Sequence, residues 1–137
     1  MSVRKEAGIM AEDNKELLHT FQKSWAQNKY WVMSRSQQQY NAIRLLAKGN
    51  DWSEEKHKQY QEILQRLEHV SPTEKTLRVT YQHIWGYFKR SATLDEKNKF
   101  KELSTNYLVN QPQIEPFLKT LADKYKQEYL LNMRWLL

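Results

Sequence analysis

The stretch from Ser71 to Arg90 reads SPTEKTLRVTYQHIWGYFKR, and its apolar spacing decides the fold class. Leu77, Tyr81, Ile84 and Phe88 recur at i, i+4, i+7 and i+11, the period of one helical face, whereas a strand would alternate residue by residue. Lys75, Arg78, Gln82, Gly86 and Lys89 fall within a sector of about 100° on another side. One face packs and one is basic. Ser71-Pro72-Thr73-Glu74 has the order of a capping box with proline at the first helical position, so the helix is expected to run from there to about Arg90. A glycine inside a helix costs about 1 kcal/mol relative to alanine. Gly86 is therefore expected to mark a close approach, either of another helix or of a ligand backbone.

Outward from this helix the same period recurs on both sides. Leu17, Leu18, Phe21 and Trp25 mark one face of a first helix. A second is expected from about Val32 to Lys48, with Met33, Tyr40, Ile43, Leu46 and Ala47 inward and Gly49-Asn50 as its stop. A third follows a cap at Asp51 or Ser53 and carries Tyr60, Ile63, Leu64 and Leu67. After the helix just described, Thr93-Leu94-Asp95-Glu96 offers a capping box for a fifth, with Phe100, Leu103 and Tyr107 inward. Beyond Gln111-Pro112 a sixth carries Ile114, Phe117, Leu118, Leu121 and Tyr125, and residues 129–137 add a final apolar turn or two. The expected fold is all-α: a single-domain bundle of about six helices over residues 13–137, after a disordered lead over residues 1–12.

Composition agrees with one folded domain. At 137 residues a single core can bury about two-thirds of the unfolded chain's surface without a disulfide or metal staple. The chain has no cysteine, which excludes an iron–sulfur cluster on its own thiols, a cysteine–zinc site and a cysteine nucleophile. No apolar run approaches the roughly 18 residues of a membrane span, and no secretory signal is visible, so a soluble cytoplasmic protein with no membrane association is expected.

The formal net charge of +6 is segregated. Residues 19–48 hold Lys23, Lys29, Arg35, Arg44 and Lys48 with no acid, and residues 75–90 hold Lys75, Arg78, Lys89 and Arg90 with none. Residues 49–74 are net acidic. Cations gathered onto two segments are the footprint of a polyanion-binding face. Lys29, Arg35, Arg44, Lys75, Arg78, Lys89 and Arg90 are thus candidate phosphate contacts, and Gln82 and His83 candidate donors to sugar or base. Tyr30, Trp31 and Trp85 are candidate stacking surfaces for unpaired bases wherever they are exposed.

Other chemistries find less support. Glu16/His19 and Glu54/His57 have the Glu-x-x-His spacing of di-metal bundles, but the second pair lies in a first helical turn among other charges, where helix-dipole logic places solvated acids. No metal and no cofactor are expected, and three glycines cannot supply a phosphate-cradling loop. Two alternatives to an RNA-binding module remain: a small enzyme using His83 as base in a pocket beside Tyr87, and a protein-interaction module or homodimer built on an aromatic surface.

The segments that carry the charge also carry a resemblance. Gln82-His83-Ile84, then Gly86-Tyr87-Phe88-Lys89, match the central motif of the YbgA-like family of bacterial proteins. Lys29-Tyr30, Ser36, Tyr40, Glu96-Lys97, Tyr107, Leu118 and Tyr129-Leu130 support it over about residues 21–135. The chain has Gln22, Asn28 and Arg35 where that family often has histidine. The family occurs alone or fused C-terminally to an iron–sulfur desulfidase domain acting on thiolated uracil, including 4-thiouridine in tRNA, where it is thought to grip the RNA. The resemblance implies a stand-alone module that binds RNA, in particular tRNA, for a separately encoded iron–sulfur desulfidase.

Overall fold

The structure, a computed structural model, describes the backbone of residues 3–137 and the side chains of residues 13–137. Among them are seven α-helices and no strand: α1 (Val3–Arg35), α2 (Gln37–Ala47), α3 (Glu54–Leu67), α4 (Glu74–Trp85), α5 (Leu94–Ser104), α6 (Ile114–Lys124) and α7 (Glu128–Leu131). The all-α bundle is as expected, with one helix more because the C-terminal apolar turns close into α7. Of the lead expected over residues 1–12, the side chains lie outside the described residues, and the backbone from Val3 belongs to α1.

The first two helices divide later than their sequence suggests. Residues 31–34 are all buried, so α1 runs unbroken through the expected boundary and ends at Arg35. Ser36 makes the break: its backbone is extended (φ −160°) and its hydroxyl accepts from the Gln39 amide at 3.1 Å. The reason for the run is that α1 is the shared wall of two cores. Phe21, Trp31 and Val32 pack with Ile43, Trp52, Tyr60, Ile63 and Leu67 of the α2–α3 side, while Tyr30 and Met33 pack with Leu77, Tyr81, Ile84, Phe88 and the apolar faces of α5 to α7.

Three local expectations shift. The cap of α4 is Thr73, not Ser71: its hydroxyl accepts from the Thr76 amide, and Thr76 returns the bond. Glu74 is thereby freed to accept the Leu108 and Val109 amides, each at 2.7 Å, holding a 3-10 turn over Leu108–Asn110 against α4. The helix also ends at Trp85, leaving Gly86 at its C-terminus and Lys89 and Arg90 in the tight turns beyond. Gly86 therefore marks no helix crossing; a Cβ there would meet only the helix's own end, 3.1 Å from the His83 carbonyl oxygen. Finally, α5 stops at Ser104, which puts Tyr107 outside the helix and 76% exposed instead of inward.

The Thr93 box on α5 forms as expected. Its Glu96 accepts the Thr93 amide at 2.8 Å, Lys124 Nζ at 2.8 Å and the Tyr125 hydroxyl at 2.5 Å, tying α5 to α6. These donors hold the Glu96 carboxyl at about 2, well below its ordinary 4.5, with the Lys124 bond the largest cause. A carboxyl depressed on folding contributes stability that is complete above its unfolded value and is lost as pH falls through the folded one. Acid unfolding should therefore draw on Glu96 between about pH 4.5 and 2. Glu96→Gln should flatten the stability–pH curve across that window, which circular dichroism at stepped pH would read; an unchanged curve would remove Glu96 from the acid response.

One buried carboxylate organises the C-terminus. Glu115 Oε2 accepts from the Tyr81 hydroxyl at 2.6 Å and from the Leu136 and Leu137 amides at 3.2 and 3.1 Å. Arg35 reaches the same end of the chain, donating to the Leu136 carbonyl at 2.6 Å and to Ser34 Oγ at 2.8 Å.

Candidate nucleic-acid interface

The basic sector of α4 faces α5. Between them lies an open groove of about 540 Å³, walled by Arg78, Gln82 and Lys89 on one side and by Lys97, Lys101, Ser104 and Thr105 on the other. Four cations and no acid line it. Its floor is aromatic: Trp85 stacks on Phe100 with centroids 4.4 Å apart and planes 4° from parallel. One end is closed by Arg78, which donates to the Ser104 carbonyl at 2.5 Å and so satisfies an orphan acceptor at the end of α5. Lys89, Lys97 and Lys101 are exposed, and no cation of the groove forms an ion pair with a carboxylate among the described residues. Such a groove offers point charges for phosphates, with amide and hydroxyl donors between them.

The second basic segment is divided. Arg44 and Lys48 line a separate groove of about 530 Å³ with Trp25, Asn41, Leu45 and Ala47, and share no residue with the first. The cations of the second and fourth helices thus line separate grooves, and the groove of α4 is completed by α5. Arg35 is not a free phosphate contact. It is half-buried, its guanidinium lies 4.5 Å from the Trp31 ring, and burial, then Arg134, lowers its pKa. Lys75, His83 and Arg90 are exposed but lie outside the groove.

None of the three stacking candidates is an exposed ring. Tyr30, Trp31 and Trp85 are buried, Trp85 to 8% exposure, because each fills a core: Tyr30 between Tyr87 and Tyr129, Trp31 beneath Arg35 and Arg134, and Trp85 on Phe100. Trp85 contributes to the groove as its floor. Of the Glu-x-x-His pairs, His57 accepts at Nδ1 from Trp52 Nε1 at 3.2 Å, a bond that closes the loop before α3. The described residues contain no group of three His, Cys, Asp or Glu that could hold a metal.

Lys97 and Lys101 are the functional candidates that charge mapping passed over, because Asp95, Glu96 and Glu102 neutralise α5 on average. The signal was present: two lysines at i, i+4 lie on one helical face, and Glu96 is turned away into its cap and α6.

A second concentration of polar groups lies where α1 meets α7 and the turn after α4. Lys29 is half-buried there, with its ammonium 5.0 Å from the Tyr30 ring and 5.1 Å from the Tyr129 ring. The Tyr30 and Tyr87 hydroxyls are 3.2 Å apart, and Tyr87 stacks on Tyr129.

With that geometry in view, a family model described as a protein of unknown function, DUF1722, matches residues 29–137. No curated protein and no solved structure matches the chain.

Proposed function

We propose, from the premise that this chain belongs to the DUF1722 family of proteins of unknown function, that it is a non-catalytic RNA-binding module. Its ligand is structured RNA, most specifically tRNA, held for a separately encoded desulfidase in 4-thiouridine metabolism. The observation that carries the reading is the α4–α5 groove, in which Arg78, Lys89, Lys97 and Lys101 surround an aromatic floor with no acid among them. Lys89, Lys97 and Lys101 contact phosphates, while Gln82, Ser104 and Thr105 donate to sugar or phosphate oxygens. The resemblance of Gln82-His83-Ile84 and Gly86-Tyr87-Phe88-Lys89 to the YbgA-like motif supports tRNA as the RNA and the desulfidase as the partner.

Counterion release makes the reading measurable. If three or four phosphates are neutralised, log affinity should fall with log salt at a slope of roughly −2 to −4. Fluorescence anisotropy of labelled total tRNA across a salt series would give it. Undetectable binding at low ionic strength, or a slope near zero, would overturn the proposal.

A further inference from the structure

Four tyrosines from four parts of the chain gather around Lys29. Tyr30 and Tyr129 present their rings to its ammonium. Tyr87 bonds the Tyr30 hydroxyl and stacks on Tyr129 with centroids 6.1 Å apart. Tyr40 lies on α2 beneath Arg44, whose guanidinium is 5.9 Å from its ring. Arg44 is near enough to Lys29 to lower its pKa, an effect second to burial. The ion pairs among the described residues engage Lys56, Lys124 and Arg134, so neither Lys29 nor Arg44 is neutralised by a carboxylate.

This arrangement is costly without a ligand. Burial disfavours an ammonium, a neighbouring guanidinium disfavours it further, and two ring faces offset only part of that. An anion would reverse both penalties. The tyrosines add a donor: where two hydroxyls bond each other, one proton is used between them and the other is left for an outside acceptor. Burial raises the pKa of Tyr30, and burial with Tyr87 and Tyr40 pushes Tyr129 up to about 12, so these hydroxyls keep their protons at neutral pH.

We propose that Lys29, Arg44 and the Tyr30–Tyr87 hydroxyl pair form a phosphate-binding site where α1 meets α2, α7 and the turn after α4, separate from the α4–α5 groove. Lys29 supplies a point charge and Arg44 a planar fork that matches two phosphate oxygens. Lys48 and Asn41, which share the neighbouring groove with Arg44, extend the site along α2. The chemistry recognised is a phosphate group, whether free or at a nucleic-acid end or backbone. Because free phosphate is a ligand in its own right, the site stands independently of the RNA-binding reading.

The test uses the full chain labelled with ¹³C at lysine Cε, titrated with inorganic phosphate against chloride at matched ionic strength. The Lys29 resonance should shift saturably with phosphate alone, and its apparent pKa should rise on binding. Lys29→Met, which keeps an unbranched stem, should weaken phosphate binding at least tenfold, and so should Arg44→Gln, an exposed position that keeps the test open if the first variant unfolds. Lys58→Glu, an exposed position on α3 outside both grooves, should leave phosphate affinity unchanged. A non-saturable Lys29 response, or variants that bind phosphate like the parent, would overturn the proposal. Adding total tRNA separates the sources: competition with phosphate at Lys29 assigns the site to nucleic-acid phosphate, and independent binding assigns it to the free anion. If phosphate binds and tRNA does not, the RNA reading fails while this one holds.

Discussion

Reversing Lys89 and Lys101 together to Glu should lower tRNA affinity by about a hundredfold or more at low salt and leave the thermal melt unchanged. Both ammonium groups are exposed on facing walls of the α4–α5 groove. Each reversal removes a phosphate contact and places a like charge against the ligand, so the two effects act in the same direction. Arg78 is the wrong position for this experiment. Its bond to the Ser104 carbonyl closes the end of α5, so its loss would mix a folding defect with a binding one. Anisotropy titrations of the double variant, paired with its melting curve, would check the outcome. Parental affinity in a folded double variant would remove the groove from the interface.

Glu115→Ala should be the most damaging substitution to the fold, costing about 3–5 kcal/mol of unfolding free energy. The alanine would leave the Tyr81 hydroxyl and the Leu136 and Leu137 amides without their acceptor, and would deprive the half-buried Arg35 of a nearby negative charge. Glu115→Gln keeps an acceptor oxygen and should cost less. Tyr81→Phe removes one hydrogen bond and should fall nearer 1 kcal/mol, with the rest of the network intact. Urea denaturation would order the three variants; a Glu115→Ala midpoint equal to the parent's would show that the network holds no stability.

The helices were legible because their apolar residues keep one period over several turns. Leu77, Tyr81, Ile84 and Phe88 are all buried, and Phe100, Leu103, Ile114, Leu118 and Leu121 likewise. Termini were less legible, since several residues compete to cap. Ser71 and Thr73 both suit an N-cap, and the choice depends on Glu74 being wanted by the Leu108 and Val109 amides, a partner 34 residues away. The join between α1 and α2 was hidden because α1 buries residues on opposite sides, which blurs the one-sided stripe that marks a surface helix. The site was half legible. The α4 cations stand out in an acid-free run, whereas Lys97 and Lys101 are masked by acids that cap α5 and bind α6. Burial of Tyr30, Trp31 and Trp85 could not be read from residue type, because an aromatic ring beside a cation suits a core edge as well as a stacking surface.

The double duty of α1 gives folding an order in time. Its contacts with α2 and α3 span shorter stretches of chain, 36 residues between Ser24 and Tyr60, whereas Tyr30 must wait for Tyr87 and Tyr129, 57 residues away in the first case. Local closure is fast and distant closure slow. The N-terminal three helices can therefore settle while the opposite flank of α1, with Tyr30 and Met33, stays bare until α4 to α7 arrive. Until then Tyr30 and Met33 would leave an apolar strip uncovered, the kind of surface that makes a partly folded chain prone to aggregate.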